Sequence, residues 1–198
     1  MKQTIRHETF ETNSSSYHSL AIRKLTELPK PREITPGEDL TISTDIKINY
    51  IGYTESYSYI ARSTYEKAQL VLRFMGYDLE EQLDELITDD EWKTETFPGS
   101  GYYNYDWDKK RNLYRERIYE APLIQAFVKA IKRFIGEAYS VIFEFSGTIF
   151  ETVSDSNYSI ESIFGVENIT DVDALADRFY EIIFDNSVEM VEECESNG

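Results

Sequence analysis

Residues 122–135 read PLIQAFVKAIKRFI, and the fold turns on this stretch together with the apolar run just downstream of it. Leu123, Phe127, Ile131 and then Phe134 or Ile135 recur at three- and four-residue steps, the spacing of one helix face. Pro122 suits the first turn of a helix, where its missing N–H is no loss, and Gly136 is a natural stop. The next apolar run, Ser140–Phe145 (SVIFEF), is short and rich in strand formers, so it reads as a buried strand. Thr148–Val153 reads as its hairpin partner across Gly147. A helix succeeded by a hairpin, rather than by regular strand–helix alternation, points to α+β and away from a doubly wound sheet.

The flanking segments support that class. Upstream, Lys109 to Ile135 is helical throughout, with a new segment at Pro122. Ser63 caps a helix with Tyr65, Ala68, Leu72 and Met75 on its apolar face, and Gly76 ends it. A second helix runs on from Asp78, with Leu79, Leu83, Leu86 and Ile87 on one side. Thr4–Phe10, Tyr17–Lys24 and Asp39–Tyr53 read as strands, separated by polar and proline-containing connectors. Downstream, Ile160–Phe164 is a helical turn. Thr170 caps a last helix through Val172, Leu175, Ala176, Phe179 and Ile183, and Val188–Val191 is a closing strand. The expected architecture is α+β, with N-terminal antiparallel strands, central helices, and a C-terminal hairpin and helix packed as one domain over 1–192. Residues 193–198 are expected to be an acidic tail.

Composition bounds the function. The chain has 198 residues, 41% hydrophobic and 14% aromatic, enough for a real core. Against 20 Lys+Arg stand 37 Asp+Glu, a formal net charge of -17. Such a field repels nucleic acid and anionic membranes and attracts basic surfaces, so a protein partner is expected, with no direct nucleic-acid binding and no membrane association. Cys194 is the only cysteine, which excludes an internal disulfide framework and leaves a reducing cytoplasm as the expected compartment. With two histidines and one cysteine, no zinc site is expected, and the acids Asp89, Asp90 and Glu91 lack the spacing of a calcium loop. There is no glycine-rich phosphate loop and no cofactor is expected.

The N-terminal run Asn13-Ser14-Ser15-Ser16, with His18 two residues on, carries the densest chemistry. A bend there aims several N–H groups at one point and could cradle an anion such as a phosphate. An extended chain instead puts Ser16 and His18 on one face, where a base approaches a hydroxyl. A turn satisfied by its own Asn and Ser side chains is the plainer alternative, and no third member of a triad is visible. Arg6 or His18 with Tyr59 and Glu144 can also be forced into a transferase pattern, but so can many sequences this rich in Tyr and Glu.

Phe10-Glu11-Thr12-Asn13-Ser14-Ser15-Ser16-Tyr17-His18-Ser19-Leu20 resembles the opening of many small phage and prophage proteins, which begin with Phe-Glu-Thr-Asn-Ser-Ser-Ser, any residue, then His-Ser and an apolar strand. Tyr65-Glu66-Lys67-Ala68-Gln69-Leu70 is similar to the first helix of that group. The resemblance covers about a tenth of the chain. It implies a mobile-element origin and, by analogy with other small acidic phage proteins, inhibition of a host enzyme or of a defence system such as a CRISPR nuclease.

The charges are segregated. Tyr77–Glu91 carries Asp78, Glu80, Glu81, Asp84, Glu85, Asp89, Asp90 and Glu91 with no Lys or Arg, and 171–198 carries nine acids against Arg178 alone. Lys109–Arg133 is by contrast basic. Carboxylates of the first segment, with Asp173, Asp177 and Glu181 of the last helix, can imitate backbone phosphates and dock on the basic groove of a nucleic-acid enzyme. Solvation of helix faces, or internal pairing with the basic segment, is the alternative. Tyr102, Tyr103, Tyr105 and Trp107, next to Gly99 and Gly101, have the composition of an adaptable protein-binding loop. The expected function is a non-enzymatic accessory protein that binds and inhibits a host or defence protein. A nucleotide or phosphate binder, or transferase, built on Asn13–His18 is the alternative, and a homo-oligomer is compatible with either.

Overall fold

A computed structural model describes residues 4–6, 16–24, 34–43, 57–95, 103–144, 160–166 and 168–196. In chain order its elements are β1 (Thr4–Arg6), β2 (Ser16–Lys24), β3 (Leu40–Ser43), β4 (Tyr57–Ala61), α1 (Thr64–Phe74), α2 (Gly76–Leu86), α3 (Asp89–Trp92), β5 (Lys93–Glu95), β6 (Tyr103–Tyr105), α4 (Trp107–Arg117), a 3-10 turn (Ile118–Glu120), α5 (Pro122–Ile135), β7 (Val141–Glu144), α6 (Ile160–Phe164), α7 (Val172–Phe184) and β8 (Val188–Ser196). The fold is α+β. The main sheet runs β1-β2-β8-β4 with antiparallel neighbours throughout, β3 pairs with β7 in parallel, and β5 with β6 forms an antiparallel hairpin.

Helix α5 organises the core. Leu123, Ile124, Ala126, Phe127, Ala130, Ile131 and Ile135 are all buried. Each large apolar side chain so removed from water is worth roughly 1.5–3 kcal/mol. Pro122 takes the first turn. Ala121 offers no capping side chain, and Gln82 of α2 supplies one instead: its Oε1 accepts the Leu123 N–H at 3.1 Å. Gly136 ends the helix at φ 107, where a Cβ would lie 3.2 Å from the Tyr139 ring. Against α5 lies α7, where Phe179 meets Phe127 with ring centroids 6.4 Å apart and stands edge-on to Phe164 at 5.2 Å.

Ser63 caps α1 as expected, in a reciprocal box: it accepts the Glu66 N–H at 3.1 Å, and Glu66 accepts the Ser63 N–H at 3.0 Å. Lys67 on this helix is fully buried and donates to the Asp185 carbonyl at 2.8 Å. A cation thus sits at the carbonyl end of α7, where the helix dipole favours it.

Several boundaries differ from the sequence reading. Gly76 begins α2 instead of closing a helix, because Met75 keeps helical dihedrals between α1 and α2. Asp171, not Thr170, caps α7, its carboxylate accepting the N–H groups of Asp173 and Ala174. Tyr57–Ala61, to which the sequence reading assigns no element, is strand β4. Strand β7 finds a parallel neighbour in β3, with Leu40 opposite Val141. Its expected partner Thr148–Val153 lies outside the described residues, as do the remainders of the strands expected over Thr4–Phe10 and Asp39–Tyr53. The closing strand runs on to Ser196, so 193–196, expected as tail, lie in the main sheet between β2 and β4.

Candidate functional site

The acids of α2 and α3 divide into those turned to structure and those left to water. Asp78 is buried and its Oδ2 accepts the Ile160 N–H at 3.3 Å, tying α2 to α6. Asp84 lies 2.6 Å from the Lys110 Nζ of α4 and accepts the Tyr114 hydroxyl. Burial, then the hydrogen bond to Asp84, then the charges of Asp84 and Glu80 push the Tyr114 hydroxyl pKa far up. Glu91 accepts the Thr88 N–H at 2.7 Å and lies 2.6 Å from Arg117, which also donates to the Leu86 carbonyl. The Thr88 backbone hydrogen bond above all, with the Thr88 hydroxyl and the Arg117 charge, holds Glu91 below the usual carboxylate range. Asp90 pairs with Lys93. Among the described residues Glu80, Glu81, Glu85 and Asp89 make no ion pair; Glu80 is half-buried, while Glu81, Glu85 and Asp89 are exposed.

On α7 the expected acidic face is neutralised locally. Asp173 pairs with Lys129 and Asp177 with Arg133, two rungs one turn apart between α7 and α5. Glu181 pairs with Arg178 at 3.1 Å. The hydrogen bond from Lys129, then its charge, lowers the Asp173 pKa. These three carboxylates are exposed but do not stand without counter-charge.

The aromatic candidates fall at the same corner as α2. Tyr103 and Tyr105 lie on β6, a strand paired with β5 and not an open loop; Tyr102 lies outside the described residues. Asp106 caps α4, accepting the Lys109 N–H at 2.9 Å, and so sets Trp107 at the helix start. Trp107 is 59% exposed, and its ring centroid is 5.2 Å from that of Trp92, which is buried at the end of α3. Lys110 Nζ lies over both indoles, 4.7 Å from Trp92 and 5.5 Å from Trp107, and 5.2 Å from the Tyr114 ring. This cation fastens α2, α3 and α4 together through one carboxylate and three rings. The sequence reading includes Lys110 and Arg117 in the basic segment and gives pairing with the acidic segments as the alternative, without saying which carboxylate each meets. Both look like solvent-face charges of an amphipathic helix, and the only cue is the opposite-sign segment upstream.

Of the serine run, Asn13, Ser14 and Ser15 lie outside the described residues. Ser16 and His18 lie on β2, in register with Ser196 and Cys194. Tyr59 is on β4, whereas Glu144 is on β7 of a separate sheet. Among the described residues no three His, Cys, Asp or Glu side chains are grouped to hold a metal ion, and no helix is long and apolar enough to cross a membrane.

Comparison with known proteins returns no match, whether with family models, curated proteins or solved structures.

Proposed function

We propose that the protein is a non-enzymatic accessory protein that binds a host protein through the corner formed by α2, α3 and α4, and that its partner presents a basic, nucleic-acid-binding surface. One observation carries this reading. Exposed Trp107 shares the corner with Glu81, Glu85 and Asp89, which make no ion pair among the described residues, and the corner is held together beneath them by Lys110. Glu81 and Glu85 flank Asp84, the carboxylate bound to Lys110, and Asp89 opens the helix whose Trp92 meets Trp107. A large ring beside uncompensated negative charge combines an anchor with electrostatic steering. The carboxylates of α7 lend little to phosphate mimicry, since their counter-charges come from α5 and from Arg178. The likeness of Phe10–Leu20 to phage and prophage openings supports a target in host nucleic-acid metabolism or defence, a CRISPR-type nuclease included.

The test is capture from host lysate and then titration of the purified partner. The reading expects a basic, nucleic-acid-binding protein, held at low salt, released as salt rises, displaced by duplex DNA and lost with Trp107→Ala. A partner without a basic face, or binding indifferent to both salt and Trp107, would contradict it.

A further inference from the structure

The corner of α2, α3 and α4 closes around the ammonium of Lys110. Trp107, Lys110 and Tyr114 follow one another at three- and four-residue steps, so they share one face of α4. Trp92 from the end of α3 and Asp84 from α2 complete the ring of neighbours. Lys110 Nζ lies 4.7 Å from the Trp92 ring centroid, 5.2 Å from that of Tyr114, 5.5 Å from that of Trp107 and 2.6 Å from the Asp84 carboxylate. Two indoles, a phenol and a carboxylate around one cation make an aromatic cage, the arrangement that recognises alkylated ammonium groups. This cage is filled by the chain's own lysine, but its dimensions suit a larger head. A methyl carbon in van der Waals contact lies about 3.5–4.0 Å from ring atoms, so the nitrogen that carries it lies about 1 Å further out. Rings 4.7 to 5.5 Å away leave that room. The close contact with Asp84 requires in addition an N–H to donate.

We propose that this cage binds an N-methylated alkylammonium that keeps one N–H, and that Lys110 is an internal occupant which the ligand displaces. Trp107 is exposed and Asp84 half open to water, while Lys110, Trp92 and Tyr114 are buried, so a ligand reaches the cage at Trp107 and Asp84. Exchange moves the Lys110 side chain and leaves the walls in place. Trp92 still meets Trp107 at 5.2 Å and the Tyr114 hydroxyl still donates to Asp84, since neither contact involves Lys110. The displaced ammonium keeps a counter-charge within its own corner: Glu81 and Glu85 flank Asp84 on α2, are exposed and make no ion pair among the described residues. The incoming group takes over Asp84, so no carboxylate is left stranded and no covalent bond is made or broken. Because the lysine competes from within the chain, it lowers the apparent affinity by the fraction of time that the cage stands open. The basic partner supplies the ligand as a methylated lysine side chain, a source that rests on the docking proposed above; the cage itself does not rest on it.

Trp92 and Trp107 are the two tryptophans of the chain, so tryptophan fluorescence of the intact protein reads the cage alone. The probes are the N-acetyl methylamide of Nε-dimethyl-lysine, its Nε-trimethyl and Nε-acetyl counterparts, and dimethylbutylammonium. Dimethyl-lysine should give a saturable change in the unsubstituted protein, the trimethyl form should bind more weakly for want of an N–H, and the neutral acetyl form should give none. Lys110→Ala, whose cage has no internal occupant, should bind dimethyl-lysine at least about tenfold more tightly. No saturable change in the unsubstituted protein, equal affinity in Lys110→Ala, or a trimethyl or acetyl form that matches dimethyl-lysine would each overturn the proposal. Dimethylbutylammonium binding as tightly as dimethyl-lysine overturns a lysine residue as the source. None of the probes involves the partner, so failure here leaves docking through Glu81 and Glu85 to its own test, and failure to capture a basic partner leaves the cage standing. Should Lys110→Ala fail to fold, NMR of the unsubstituted protein decides: the Lys110 ε-methylene protons, displaced by the ring currents of the cage, must move to ordinary lysine positions as dimethyl-lysine saturates, and unmoved signals are equally fatal.

Discussion

Lys110 and Asp84 are bound at 2.6 Å across α4 and α2, but their surroundings differ: Lys110 is buried beneath two indoles and a phenol, while Asp84 is half open to water. Removing one partner of such a pair strands the other, and the cost depends on which is stranded.

Asp84→Asn leaves a buried ammonium without its counter-charge and should cost about 2 kcal/mol. Lys110→Met keeps the packing of the stem and leaves a carboxylate that water can solvate, so it should cost under about 1 kcal/mol. Urea unfolding of the two variants gives the order directly.

Tyr114 makes the same corner sensitive to alkali. Its pKa is raised in the folded state, so the folded protein keeps the phenol neutral where the unfolded chain would ionise it. This contribution is complete below the unfolded value of about 10 and is lost as pH rises above it towards the folded value. Tyr114→Phe should flatten the fall in stability above about pH 10, as tracked by melting temperature against pH.

Asp173 shifts the other way. Its pKa is lowered by Lys129, so its contribution is present above the unfolded value of about 3.9 and is lost as pH falls through the folded value. Lys129→Ala should return the Asp173 titration by NMR to the ordinary carboxylate range, and Arg133→Ala should move it less, its charge being a smaller cause.

How much of this could be read from the sequence depends on how local the causes are. The apolar stripe of Pro122–Ile135, the stop at Gly136, the cap at Ser63 and the strand expected over Tyr17–Lys24, observed over Ser16–Lys24, are set by neighbours within a few residues, and they stand close to expectation. Pairing of β3 with β7 joins residues about a hundred positions apart and leaves no local trace. Strand β8 is hidden for another reason: Glu189, Glu192, Glu193 and Glu195 erase the apolar alternation, so its far end passes for a solvated tail. The acidic segments are legible as charge but not as surface. Whether a carboxylate faces water or a distant cation is settled by packing: Lys129 and Arg133 meet Asp173 and Asp177 of α7, Arg117 meets Glu91 of α3 and Lys110 meets Asp84 of α2, while Glu81 and Glu85 of α2 make no ion pair among the described residues.

The most direct measurement is the affinity of the purified partner for two charge variants of the protein, Glu81→Lys with Glu85→Lys and Asp173→Asn with Asp177→Asn. Docking through the corner of α2, α3 and α4 predicts a loss of about tenfold or more for the first and under about twofold for the second, with a shallower salt dependence in the first alone. Equal losses, or a larger loss on α7, would contradict it.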